Sequence, residues 1–269
     1  MHQMLRRVLT IIRKMAKNIE ARKNSWVWQH TKSANCSTEP IITHILIAKK
    51  EIYSKVAKIC VESFLHHHPE ARVRLHVDTH TKKKTERVFK SKFFKERIQI
   101  VSLRDDSQTW QEQKISLILS MNGTKDVFMD ADLRWNSKID LPKAVTFYVN
   151  EFALAEKSPY RQLIYSLRGG KYFNATMRNT SFFTFAGVQI SEKAKEDVNQ
   201  LENEILAILN TEIVGKLDRS SVVRLSEQLA LSIASEDWGV NVAALKENDG
   251  HKDGAFVESS YFGATGSTF

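Results

Sequence analysis

Two carboxylates one residue apart, Asp130 and Asp132, follow the apolar run Val127-Phe128-Met129. A buried strand of this kind delivers both acids to the point where the chain leaves a sheet. Unpaired buried acids are costly, so a pair in this position calls for a cation or a strong hydrogen-bond network. Hard divalent ions such as Mg²⁺ or Mn²⁺ take carboxylate oxygens together with phosphate oxygens. The chemistry suggested is metal-assisted handling of a phosphorylated substrate. Asp also favours strand-ending turns for local reasons, and it is the apolar strand ahead of the pair that strengthens the metal reading. Lys114 lies in the first turns of the helix that precedes this strand. In a right-handed βαβ unit that helix starts near the same carboxyl edge. There Lys114 would hold a phosphate or a sugar hydroxyl, or else be a solvated surface lysine, and spacing alone does not choose.

Other clusters read as structure. His66-His67-His68 closes a helix before Pro69, where the helix dipole favours imidazole. Lys82-Lys83-Lys84 reads as an exposed face. Asn35, Asn122, Asn174 and Asn179 begin Asn-x-Ser/Thr triplets, taken as chance matches without a secretory signal. Gly263-Ala264-Thr265-Gly266 lacks the Lys partner and following helix of a phosphate loop and reads as a flexible segment that closes over a substrate. Cys36 and Cys60 make neither a disulfide framework nor a zinc spacing, which points to a reducing compartment.

The elements that must position these residues alternate in type. Ile41–Ala48 is a β-branched apolar strand and Glu51–His66 a helix. Arg72–Asp78 is a second strand, Lys82–Lys95 a polar helix, and Arg97–Leu103 a third strand. Trp110–Met121 is helical and stops at Asn122-Gly123, before the strand Asp126–Met129. Such βα alternation predicts a mainly parallel sheet with helices on its faces, and ligands outside the carboxyl ends of its strands. Asp78 and Asp130 both fall at such ends. The second half holds strands at Val145–Asn150 and Ser181–Ile190. Its helices are Pro159–Leu167 capped by Ser158, Glu192–Leu209 capped by Ser191, and Val222–Ala234.

The stretch Gln113-Lys114-Ile115-Ser116-Leu117, followed by Asp126 to Leu133, resembles the GT-A glycosyltransferases. Within them it is most similar to the retaining family of glycogenin and the bacterial lipopolysaccharide galactosyl- and glucosyltransferases. Ala48-Lys49-Lys50, Tyr53, Cys60 and Ser63 extend the likeness to the first strand and helix. Phe185-Ala186-Gly187-Val188 resembles the family's strand motif ending in Gly-Val, and Glu227-Gln228 its Asp-Gln. The family's Asn near Gly-Val is Phe185 here, and its C-terminal His-x-x-Gly-x-x-Lys-Pro-Trp-like segment is represented only by His251, Lys252 and Gly254. These departures bear on the acceptor side and on stereochemistry more than on the donor side.

The resemblance implies an α/β GT-A fold with a mixed, mainly parallel sheet. It implies an enzyme that moves a hexose from a nucleoside-diphosphate sugar, a UDP-sugar above all, to a hydroxyl of a glycan or lipid-linked acceptor, with retention. Ala48, Lys49 and Asp78 would meet the nucleoside. Asp130, Ala131 and Asp132 would hold Mn²⁺ or Mg²⁺ across the pyrophosphate, with His251 as a third ligand. Lys114, Glu227 and Gln228 would serve the donor sugar and catalysis. Glu236-Asp237 before Trp238-Gly239 offers an inverting base instead, or simply a helix C-terminal turn. The competing functions are a pyrophosphorylase-like nucleotidyltransferase, which lacks its Gly-rich loop here, and a basic nucleic-acid-binding protein.

Charge argues against the last. The formal charge is +9, but residues 1–35 hold eight basic groups against Glu20, leaving +2 for the rest of the chain. Basicity belongs to a leader rather than to the domain, and no nucleic-acid partner is expected. The expected organisation is a leader over residues 1–35 and one domain over 41–269, with a nucleotide-sugar half (41–135) and an acceptor half (136–269). In the leader Leu5, Val8, Leu9, Ile12, Met15 and Ile19 recur at helical spacing, and Trp26 and Trp28 follow. Residues 1–30 thus read as a helix lying on an anionic membrane surface, as a helix docked on the domain with a solvated basic face, or as a transit peptide. No apolar run reaches the roughly 18 residues of a membrane span. The expected location is the cytoplasm, peripheral to a membrane in the first of these readings.

Overall fold

The computed structural model describes residues 40–48, 50–103, 108–135, 137–140, 142–156, 158–209, 225–245 and 257–259. The leader, Lys49, His251 and the segment Gly263 to Gly266 lie outside the described residues.

β1 (Ile42–Ile47) and α1 (Ile52–His67) begin the domain. β2 (Arg72–Val77), α2 (Thr79–Val88), the short α3 (Lys92–Lys95) and β3 (Ile98–Ser102) follow. α4 (Trp110–Ser120) then leads into β4 (Val127–Met129) and β5 (Leu133–Trp135). The second half contains β6 (Val145–Ala153), α5 (Ser158–Ser166), β7 (Thr176–Thr184), α6 (Glu192–Leu209), α7 (Ser226–Ala234), β8 (Val242–Ala244) and β9 (Val257–Ser259).

Seven strands form one sheet in the order β3-β2-β1-β4-β7-β6-β8, and β5 pairs with β9 apart from it. β1 pairs in parallel with β2 and β4, and β2 with β3. β7 alone runs against its neighbours β4 and β6. The architecture is therefore α/β with a mixed, mainly parallel sheet. The strand order reverses at β1, with β2 on one side and β4 on the other. Such a reversal opens a crevice at the carboxyl ends of the two diverging strands, and Ala48 and Asp130 are the residues that follow β1 and β4 there.

Alternation along the strands divides the core. Phe128 faces α4, α6 and α7 with Phe183, Ile115, Leu201 and Leu229, while Val127 and Met129 face α1 with Ile45, Val61 and Phe64. Each fully buried side chain of this size contributes about 1.5–3 kcal/mol. Both layers thus fix β4 at the centre of the molecule, and with it the start of the Asp130 turn.

Several boundaries differ from expectation. The helix expected over Lys82–Lys95 starts at Thr79, because Asp78 caps it, and breaks after Val88. The strand expected over Ser181–Ile190 runs over Thr176–Thr184 instead. Ala186 and Gly187 follow it at φ 54° and 83°, a left-handed turn no strand can contain. Since β7 is antiparallel to β4, Phe185-Ala186-Gly187-Val188 lies at the amino edge of β4, away from the Asp130 end. There the Gly187 N–H donates to the Thr124 carbonyl (2.7 Å) and Phe185 is buried in the core. The motif is a structural turn.

Candidate active site

The chain turns at Asp130-Ala131-Asp132-Leu133, with the Leu133 N–H donating to the Asp130 carbonyl at 3.3 Å. The Asp130 N–H donates to Ser181 of β7 at 2.8 Å, and the Cys60 thiol donates to the Asp130 carbonyl at 3.6 Å. One backbone bond to β7 and one thiol bond from α1 hold the turn by its main chain, leaving both carboxylates for other partners.

One partner is Lys114. Its Nζ lies 2.9 Å from Asp130 Oδ1 and 3.4 Å from Glu227 Oε1, with the lysine and Glu227 side chains each 3% exposed. The Phe128 and Trp110 rings lie 5.2 and 5.8 Å from the ammonium, within cation–π range. A buried lysine without such company would lose its proton. Here burial pulls its pKa down, but Asp130 and Glu227 outweigh it, and the group is held above its ordinary range as a cation. Of the two readings open for Lys114, the solvated surface lysine does not hold.

The sequence built this arrangement locally. Thr109 and Glu112 form a capping box at the start of α4. The Glu112 N–H donates to Thr109 Oγ1 at 3.2 Å and the Thr109 N–H to Glu112 Oε2 at 2.6 Å. The Thr-x-x-Glu spacing is a readable N-terminal signal, and it sets the turn that carries Lys114. Glu227 sits in the first turn of α7, buried, with Gln228 beside it at 7% exposure. Burial pushes the Glu227 carboxyl up and Lys114 pulls it down, leaving it raised. Its Oε2 has no hydrogen-bond partner among the described residues.

Asp132 is half-buried. Burial first, and then the charge of Asp130, pushes its carboxyl up to about 7. A carboxylate pair with one lysine, bonded to its first member, and too little positive charge is a donor set suited to a divalent cation. Among the described residues no group of three or more His, Cys, Asp or Glu is placed to hold one. Two carboxylates still fit Mg²⁺ or Mn²⁺, which complete their shells with phosphate oxygens and water. Tyr53 of α1 lies in the field of both acids, its phenol raised by burial and then by Asp132 and Asp130.

Asp78 and Ala48 stand side by side at the ends of β2 and β1, both with little exposure. The Asp78 carboxylate accepts from the Thr81 N–H at 2.8 Å and from Thr81 Oγ1 at 2.7 Å, capping α2. It shapes this edge through the helix it caps. His68 is buried against Phe64 and Trp135, and burial lowers its pKa to about 4. It is a neutral core group, so the structural reading holds for His68, but through burial and not through a charge on the helix dipole.

Glu236 and Asp237 lie at the opposite end of α7, about 15 Å from Glu227 at the helical rise per residue. Glu236 pairs with Arg178 at 2.6 Å, and Asp237 with Lys171 and, at 2.7 Å, with the Tyr172 hydroxyl. Gly239 follows at φ 66°, a helix stop. The helix-end reading holds, and neither acid joins the Lys114 cluster.

Comparison with known proteins adds the following. No family model matches the chain, and no curated protein matches it. Among solved structures it is similar to the galactosyltransferase LgtC in complex with donor and acceptor sugar analogues. The identity is 11% and the TM-score 0.48, covering 76% of this chain and 73% of that one. The glycosyltransferase GlyE of Streptococcus pneumoniae TIGR4 gives 9% identity and a TM-score of 0.42, covering 78% and 46%. The bifunctional glycosyltransferase WbbM gives 9% and 0.43, covering 65% and 36%. A shared activity does not follow from likeness at this level, and what the chain does is read from its own residues.

Proposed function

We propose that the protein is a divalent-metal-dependent glycosyltransferase that uses a nucleoside-diphosphate sugar, with UDP-sugars the leading class. One observation carries the reading. A paired carboxylate motif stands at the switch point of the sheet with a buried lysine bonded to its first member. Asp130 and Asp132 would hold the metal against the pyrophosphate, and Ala48 and Asp78 would border the nucleoside. When bound, the metal supplies charge neutralisation for the departing diphosphate. Lys114 keeps Asp130 in one orientation and adds positive charge beside the leaving group. Glu227 holds Lys114 from behind, and its unpaired Oε2 and the Gln228 amide are polar groups suited to sugar hydroxyls. Retention belongs to the same reading, since Glu227 is bound to Lys114 and Asp237 is engaged by an ion pair with Lys171 and a hydrogen bond from Tyr172. Neither is a free base for the acceptor proton. The leader belongs to this proposal as an anchor on an anionic membrane surface, where lipid-linked hydroxyl acceptors would be found.

The test is incubation of the full chain with a panel of UDP-sugars and Mn²⁺. Transfer releases UDP, whereas a nucleotidyltransferase releases pyrophosphate or consumes it. Asp132→Ala is expected to abolish UDP release without lowering the melting temperature, because the side chain lies at an edge and not in the core. Full activity in EDTA, or in the Asp132→Ala protein, defeats the reading.

A further inference from the structure

Behind Glu227 lies a second buried acid, Glu202 of α6, 4% exposed. Its Oε1 is 3.1 Å from the hydroxyl of Ser226, itself 1% exposed and the first residue of α7. The surrounding α6–α7 contact is otherwise apolar, made by Val198, Leu201 and Ile205 against Leu229, Ala230 and Ile233. The ionisable groups that face Glu202 are Glu227 from α7 and Glu112 from α4, both acids. α5 also packs on α6, and Arg168 just beyond it pairs with Asp197 and Glu204 of α6 at 2.6 and 3.0 Å rather than with Glu202. Among the described residues no cation pairs with Glu202.

We propose that Glu202 is a positioning residue for the transfer site, a buried carboxyl group whose hydrogen bond to Ser226 fixes the first turn of α7 and thereby the direction in which Glu227 meets Lys114. The inference rests on the transfer reading above. Leu225, which precedes α7, gives the helix no side-chain cap, so its first turn is tied down through Ser226 instead. One residue of helix rotation is about 100°. Such a slip would swing Glu227 off Lys114 and leave Glu202 and Ser226 buried without partners, each a costly loss. A single polar link in an apolar contact sets register in this way.

The surroundings favour the protonated form. Burial raises the Glu202 carboxyl to about 7. The Ser226 bond opposes this, and the charges of Glu227 and Glu112 add to it. A carboxyl raised on folding gives stability that is whole below its unfolded value of about 4.3 and is lost as pH rises through the folded one.

The experiment compares the wild type with Glu202→Gln, Glu202→Leu and Ser226→Ala in the full chain. Thermal unfolding in EDTA is followed from pH 5.5 to 8.5, and UDP-sugar turnover is measured with Mn²⁺ at pH 6.5. Gln preserves the neutral polar shape. It is expected to keep kcat within about twofold, and its Tm relative to wild type should rise by about 2–4 °C between pH 5.5 and pH 7.5 and level off above that. Leu fills the volume without the bond and is expected to lower kcat about tenfold with donor KM little changed. Ser226→Ala should move the same way. A Tm difference between Gln and wild type that stays flat with pH overturns the proposal, as does wild-type kcat in a folded Leu variant. If the Leu variant does not fold, Ser226→Ala decides the turnover arm. A wild type that turns over no nucleotide sugar defeats the transfer reading, while the Tm arm still decides whether Glu202 keeps its proton.

Discussion

Lys114 is the residue on which the site's electrostatics balance. Removing one partner of a buried ion pair leaves the others charged in a poor solvent, at a cost of about 3–5 kcal/mol. Lys114→Met retains the stem and deletes the charge, so that Asp130 and the buried Glu227 face each other unscreened. We expect urea unfolding to register a loss of that size and UDP release to vanish. Adding Glu227→Leu to Lys114→Met should recover part of the stability and none of the activity, because it removes one of the two stranded acids. A loss below about 1 kcal/mol for Lys114→Met would mean that the cluster is not electrostatically closed around the lysine.

At the scale of elements, the start of α4 decides where Lys114 points. The Thr109–Glu112 box satisfies two of the backbone donors that a helix leaves orphaned at its first turn. Thr109→Ala should cost about 1 kcal/mol, read as a Tm lower by about 2–4 °C. Because the loosened turn carries Trp110 and Lys114, donor KM should rise in the same variant. An unchanged KM beside a lowered Tm would separate the cap from the site. The start of α2 works the same way through Asp78, which explains why that helix begins earlier than its run of lysines suggested. Asp78-x-x-Thr81 is a capping signal in plain view. The strand misplaced by several residues, β7, shows the opposite case. The run from Phe182 to Ile190 looks continuous in hydropathy, and only the positive φ of Ala186 and Gly187 divides it.

For the whole molecule, the sheet order gathers the site from both halves. Asp130 comes from β4 and Lys114 from α4 in the first half, and Glu227 comes from α7 nearly a hundred residues later. The Lys114 cluster therefore draws on residues from both sides of residue 135. Among the described residues no helix is long and apolar enough to cross a membrane. The basic leader is the segment proposed to meet one, on the charge and apolar spacing of its sequence. Deleting residues 1–30 should leave UDP-sugar hydrolysis nearly unchanged and reduce binding to anionic vesicles, most sharply at low salt, where basic groups are least screened. Equal vesicle binding by the truncated chain would overturn the membrane role.

Local chemistry made part of this protein legible in the chain alone. The apolar run into Asp130 and Asp132, the βα alternation, and Glu192–Leu209 with its bounds all follow from periods of two and 3.6 and from turn residues. The partners of Lys114 were not legible from spacing. A lysine in a first helical turn reads alike whether solvated or buried, and its protonation depends on Asp130 and Glu227 arriving from other elements. Glu202 was invisible for the same reason. In sequence it is one acid among several on a polar helix, and only the packing of α6 on α7 removes water from it. Long-range pairing decides which charges lose their solvent, and that loss turns an ordinary side chain into part of a site.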